Sequence, residues 1–333
     1  MEDVDLYWIA GSLHGRMPLL VPPVRAAVDL ALVDLAWKAF VRDAGPGDTG
    51  PLFSGWQHAD QVLLSEDPRA GAVLAWLASR DGPLRVAAIR LQRARGASGR
   101  RFNKDELAML AVAGDGLRDA GVMLNAAPPV DNLVAALAAL REDWRFASAA
   151  PSGSAELGGA WAINLALATF PAVAPQPGIV TRESLRADQS FDRMVLLRSW
   201  ATATQTVYER VRLISDRFRD ARDSIEGLSK NARGREVIGA LAALETLRRP
   251  HIKRGWELSE AGTTLVMRQL VDLGVARSEE RAAISWAAPK ILRTDDRAQH
   301  LSDGDAVREF DEAMSYAAQV LKMVPGSGGR PHG

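Results

Sequence analysis

Residues 259 to 286 read SEAGTTLVMRQLVDLG (Ser259 to Gly274) followed by VARSEERAAISW (Val275 to Trp286). The first part carries the punctuation of a helix. Ser259 can accept from the first turn, and Gly274 can close the helix in the left-handed conformation that side chains with a Cβ avoid. Val275-Ala-Arg-Ser then reads as a strand, Glu279-Glu280-Arg281 as a turn, and Ala282 to Trp286 as the returning strand. Upstream, Arg235 to Leu247 gathers Val237, Ile238, Leu241, Leu244 and Leu247 on one apolar side, and Pro250 is expected to break that helix. A helix, a short segment, a second helix and a hairpin are therefore predicted between Arg235 and Trp286.

At these residues the chain resembles the winged helix-turn-helix of many bacterial regulators. Ser259 matches the start of the recognition helix, Met267 and Leu270 its core face, and Leu273-Gly274-Val275 the lead into the wing. The stretch between Pro250 and Ser259, which holds Gly255, is shorter than the second helix and turn of that family usually are. The resemblance implies double-stranded DNA as a partner. Local charge agrees: from Lys230 to Thr294, twelve basic residues stand against seven acidic ones on a chain of zero formal net charge. On the recognition helix, Arg268, Thr263 and Thr264 would meet phosphates or base edges. Arg248, Arg249, Lys253 and Arg254 would clamp phosphates ahead of it, and Arg277 and Arg281 would lie on the wing.

Further upstream, Val207, Val211, Ile214, Phe218, Ala221, Ile225 and Leu228 are spaced alternately by four and three, the a/d pattern of a heptad helix. One helix from Phe191 to Leu228 would be roughly 57 Å long. Its stripe serves either a bundle within the chain or a homodimer, in which Val207, Val211, Ile214, Phe218, Ile225 and Leu228 would form the contact. A similar stripe marks Ser302 to Val324, ahead of a Gly/Pro tail from Pro325 to Gly333.

The rest of the chain punctuates as helices. Val24 to Val41 is apolar around most of its circumference, as a buried helix should be. Gly45 to Gly55 reads as a loop, Ala70 to Arg80 as a short helix, and Asn103 with Glu106 as a capping box. Another helix starts at Asp131. Leu84 to Leu91 (LRVAAIRL) is expected to be a strand, followed by a basic Gly/Ser loop from Arg93 to Arg101. Leu84 to Val122 on that reading resembles the end of a GAF-type sensor domain whose preceding strands are missing.

The fold expected is mainly α: a helical N-terminal body over residues 1–150, a region with the long amphipathic helix over 151–230, a winged helix-turn-helix with a small β-hairpin wing over 231–296, and a C-terminal helix and tail over 297–333. That layout resembles Fic-type nucleotidyl-transfer proteins, but the His-Pro-Phe and Gly-Asn-Gly-Arg motif of that family is absent.

Composition excludes several functions. The 333 residues contain no cysteine, so disulfides, thiolate metal sites and a cysteine nucleophile are ruled out. No His-Glu-x-x-His, phosphate-binding glycine loop or nucleophile elbow occurs, so no catalytic residue, metal or cofactor is assigned. A search for an active site would begin at His58 and Asp60. The acidic N-terminus lacks signal-peptide character, and no apolar run reaches the ~18 residues of a membrane span. A cytoplasmic, non-membrane location is expected. The functional expectation is a DNA-binding regulatory or accessory protein. The alternative is a non-enzymatic interaction or scaffold protein whose winged helix and heptad helix mediate oligomerisation.

Overall fold

Between Val24 and Phe40 apolar residues stand on every face of the helix, so no orientation of it can turn a polar side to water. The chain resolves this by wrapping other helices around it. In the computed structural model, which describes residues 20–44, 60–96, 101–119, 155–169, 177–181, 193–226, 228 and 233–287, helix α1 (Pro22–Ala44) is buried continuously from Leu30 to Trp37. Around and after it come α2 (Arg69–Ser79), α3 (Arg85–Arg95), α4 (Lys104–Asp119), α5 (Ala155–Leu167), α6 (Arg193–Asp220), α7 (Arg222–Glu226), α8 (Arg233–Leu244), β1 (Thr246–Arg248), α9 (Arg249–Gly255), α10 (Glu260–Asp272), β2 (Ala276–Glu279) and β3 (Ala283–Trp286). The described residues are thus mainly helical, with one three-stranded antiparallel sheet in the order β1-β3-β2.

α1 touches α2, α3, α5, α6 and α8. Its aromatic end is a stack of Trp37, Phe40, Phe102 and Trp161, with Phe40 edge-on to Trp161 at 5.4 Å between ring centroids. Two buried carboxylates on α1 would be costly if left unpaired. Asp34 accepts from the Val62 amide at 2.8 Å and pairs with Lys38. Asp43 pairs with Arg42 and accepts from Asn164 Nδ2 at 2.9 Å, while Asn164 also bonds both backbone groups of Val180. These bonds tie the segments around residues 62 and 180 to the central helix.

Several expected elements are present. Asn103 and Glu106 form the reciprocal capping box at the start of α4, at 2.7 and 2.8 Å. The buried helix after Pro22-Pro23 and the short helix near residue 70 are α1 and α2.

Others are corrected. Leu84 to Leu91 is not a strand: α3 runs from Arg85 to Arg95 and takes in the start of the expected basic loop. The buried set is Leu84, Ala87, Ala88, Leu91 and Ala94, a helical spacing, while Val86 of the supposed alternation is 74% exposed. The likeness to a sensor-domain strand goes with it. The helix expected from Arg235 to Leu247 ends at Leu244, because Glu245 turns left-handed (φ 69°) and Leu247 enters β1. Pro250 does not break a helix but opens α9, where its fixed φ suits the first turn. The long helix is interrupted by a turn at Ala221, yet the bonds from Ala221 N–H to Arg217 and from Ile225 N–H to Ala221 keep its stripe in phase.

That stripe is spent inside the chain. Val207, Ile214, Ala221 and Leu228 are buried, and Val211, Phe218 and Ile225 pack against the same core, with α6 lying on α1 and α8. The dimer contact expected of Val207, Val211, Ile214, Phe218, Ile225 and Leu228 therefore has little open surface to use. All described residues belong to one compact unit, Met1–Pro289. The boundaries expected after residues 150 and 230 separate no bodies among them, since α8 packs along α1 and α9 along α3. The loop from Gly45 to Gly55, His58, the helix after Asp131 and the C-terminal helix from Ser302 to Val324 lie outside the described residues.

The contact between α9 and α3 is close enough to need a glycine. A Cβ on Gly255 would sit 2.9 Å from the Ala94 Cβ and 3.7 Å from the Arg90 carbonyl oxygen. Gly255→Ala is expected to cost about 1–3 kcal/mol in urea unfolding. Gly114→Ala, on α4 with nothing within 4 Å, should be neutral or stabilising by up to about 1 kcal/mol. Equal effects at the two positions would refute the close-contact reading.

Candidate functional site

Residues 233–287 place most of the residues singled out above. Ser259 caps α10, its hydroxyl accepting from the Gly262 amide at 3.0 Å. At the other end Gly274 adopts φ 70°, the Gly274 amide donates to the Val271 carbonyl and the Val275 amide to that of Leu270. Leu270 and Val275 are both fully buried, so the cap also seats α10 on the core. β2 and β3 form the hairpin, with Arg277 opposite Ser285 and Glu279 opposite Ala283, and β1 adds Leu247 opposite Ile284.

α10 shows two faces. Thr263, Val266 and Leu270 are buried, whereas Glu260, Ala261, Leu265, Arg268, Gln269 and Asp272 are exposed. Thr263 therefore cannot reach a ligand: it is fully buried and its hydroxyl donates to the Ser259 carbonyl at 2.9 Å. The expectation that it contacts DNA is corrected on that ground. Thr264 stays near the surface, donating to the Glu260 carbonyl and accepting from Arg249 at 2.7 Å. Arg268 is exposed and makes no ion pair among the described residues.

Glu260 organises the cations before α10. Arg249 reaches its carboxylate at 3.1 Å and Lys253 bonds the other oxygen. The bonds from Lys253 and then Arg249 hold this exposed carboxyl below the usual glutamate range. Arg248 is half-buried at the start of α9. On the hairpin, Arg277 is engaged by Glu279 and Ser285, both at 2.8 Å, and bonds from Ser285 and Arg277 lower the Glu279 carboxyl. Arg281 lies in the one-turn 3-10 helix Glu280–Ala282 at the hairpin tip.

Arg254 departs from the expected clamp. It turns away from α10 and donates to the carbonyls of Ala94 (2.9 Å) and Arg95 (3.2 Å) at the end of α3. There it lines a cleft of about 760 Å³ together with Lys253, Glu257, Arg93, Arg95 and Arg101. Arg93, Arg95 and Arg101 belong to a run that was visible as basic in the sequence. What was not visible was its meeting with α9, some 160 residues away in the chain.

His251 lies beneath these charges. It is buried, its Nδ1 has no hydrogen-bond partner among the described residues, and burial, then Arg254, Arg248 and Arg95, push its pKa from the ordinary 6.5 to about 4. Asp60, the described member of the His58 and Asp60 pair, receives at its backbone carbonyl a bond from Trp37 Nε1. Among the described residues no group of three metal-ligating side chains occurs, and no helix is long and apolar enough to cross a membrane.

Set against known proteins, the chain matches no family model, no curated protein and no solved structure.

The position of His251 sets a pH dependence. In the unfolded chain the imidazole takes up a proton near its ordinary 6.5, in the folded chain only near 4. Between those values the unfolded state binds more protons, so stability is lost as pH falls, by up to about 1.4 kcal/mol per pH unit, and levels off below the folded pKa. Urea unfolding of the wild type and His251→Gln across that window measures it. The wild type should lose more stability than the variant; parallel pH profiles would reject the assignment.

Proposed function

We propose that residues 233–287 form a winged helix-turn-helix and that the chain is a DNA-binding regulatory or accessory protein. The observation that carries this reading is the order of helix, strand, helix, helix and hairpin. It closes in a β1-β3-β2 sheet and leaves one face of α10 bare. Such a helix enters a major groove, and the hairpin lies against the adjoining backbone. Arg268 is exposed on that face and without an ion pair among the described residues, with Thr264 beside the Arg249 and Glu260 pair. Arg248, Arg249 and Lys253 stand at the phosphate-facing shoulder. Because Glu260 already holds Arg249 and Lys253, a DNA phosphate must displace a carboxylate to use them. Affinity is therefore modest, and it falls as salt rises.

A second reading is favoured by one feature. Leu265 is 64% exposed and Val271 37%, beside exposed Ala261, and the acids Glu260 and Asp272 outnumber Arg268 along α10. In this reading α10 docks on a protein, another copy of the chain included, and the molecule is an interaction or scaffold protein.

Fluorescence anisotropy on random-sequence duplex DNA at several salt concentrations separates the two. The first reading expects roughly micromolar binding at low salt. Arg268→Glu should weaken it and lower the salt slope by about 1, and Glu260→Gln should strengthen it by freeing Arg249 and Lys253. Absence of binding at low salt rejects it. The second reading expects self-association or partner binding, followed by sedimentation, that Leu265→Asp abolishes and Arg268→Glu spares.

A further inference from the structure

The cleft between α3 and α9 has a character of its own. Arg93, Arg95, Arg101, Lys253 and Arg254 line it, and Glu257 is the one carboxylate among its described lining residues. Glu257 is engaged by Arg93 at 3.0 Å. Lys253 pairs with Glu260, but Arg95 and Arg254 are held by carbonyls, which satisfy hydrogen bonds without cancelling charge. Arg95 donates to the carbonyls of Val62 (2.7 Å), Ser65 (2.8 Å) and Asp67 (2.9 Å), and its buried Nε has no partner among the described residues. Arg254 is held by the carbonyls of Ala94 and Arg95. Arg101 is exposed and makes no ion pair among the described residues. Burial works against the Arg95 charge and lowers its pKa despite the nearby Asp67. Positive charges fixed around a concave wall focus their field into the space between them.

The lining also includes two partly exposed apolar side chains, Ile89 and Leu258. At about 760 Å³ the cleft exceeds what a bare phosphate needs, and it falls within the roughly 300–1,000 Å³ usual for small-molecule sites.

We propose that this cleft binds a small phosphorylated ligand, its phosphates held by Arg101, Lys253 and Arg254 and its apolar or planar body lying on Ile89 and Leu258. Lys253 also bonds Glu260 on the first turn of α10, so a ligand phosphate that draws Lys253 away loosens the Glu260 cluster. Control of DNA contact by that route rests on the reading given above; the site itself does not.

Isothermal titration with ATP and with inorganic tripolyphosphate, both in EDTA and without DNA, tests the site. ATP should bind saturably at one site. Arg101→Glu should weaken it at least about tenfold, and Lys253→Gln should weaken it in the same direction. Arg222→Glu, which removes an exposed arginine on α7 paired with Glu226, should leave it unchanged. No binding of ATP at about 1 mM overturns the proposal. Equal losses in Arg101→Glu and Arg222→Glu would mean general charge attraction and overturn it too. Tripolyphosphate binding as tightly as ATP would overturn the placement of a ligand body on Ile89 and Leu258. Because no DNA is present, failure here is distinct from failure of DNA binding, which Arg268→Glu reports.

Discussion

Helix α1 is without a polar face, and the rest of the described structure is arranged to take it out of water. Burying a helix of this kind on every side gains hydrophobic free energy in proportion to the apolar area removed, but it also forces Asp34 and Asp43 inside. Their partners, the Val62 amide and Asn164 above all, come from distant segments. The same bonds that make the carboxylates tolerable also fix where those segments run. Five helices pack on α1 and keep their outer faces for function; Arg93 lies on such a face of α3, and Arg268 on the exposed face of α10.

The position of α9 follows from this packing. α8 lies along α1, β1 turns the chain out of it, and α9 is pressed on α3 at Gly255 and Ala94. That contact brings a basic run from the N-terminal half against the cations of α9. It creates a concave positive wall on one side and leaves α10 with a bare face on the other. Lys253 is the side chain common to both, lining the cleft and bonding Glu260. Glu260 has a double part: it neutralises the cations before α10 in the free protein and sets the strength of any competing anion.

Reading the chain residue by residue located what depends on near neighbours. The capping box at Asn103 and Glu106, the Ser259 cap, the left-handed Gly274 and the strand pair after it are each decided within a few residues, and each stands in the structure. Errors arose where two periodicities fit the same residues. In Leu84 to Leu91 apolar positions allowed either a strand or a helix, and packing against α9 and α2 selected the helix. Arg235 to Leu247 kept its apolar spacing through Leu247, but Arg210 and Arg217 converge on Glu245 at the end of α8. Burial works against the Glu245 charge, and the two guanidiniums outweigh it and keep the carboxyl low.

The site divides in the same way. Arg268 and Thr264 could be placed on the outer face of α10 from helical spacing, and Thr263 could have been excluded by the same spacing, since it shares a face with Val266 and Leu270. By itself the sequence determined the helical class, the caps, the hairpin and the heptad stripe, because these follow from bonds and side-chain periods spanning a few residues. Only the tertiary structure decided that the stripe is spent inside the chain, that Arg254 turns to the end of α3, and that Arg93, Arg95 and Arg101 share a cleft with α9. Those outcomes depend on which surfaces meet across some 160 residues of chain, and no local pattern encodes that meeting.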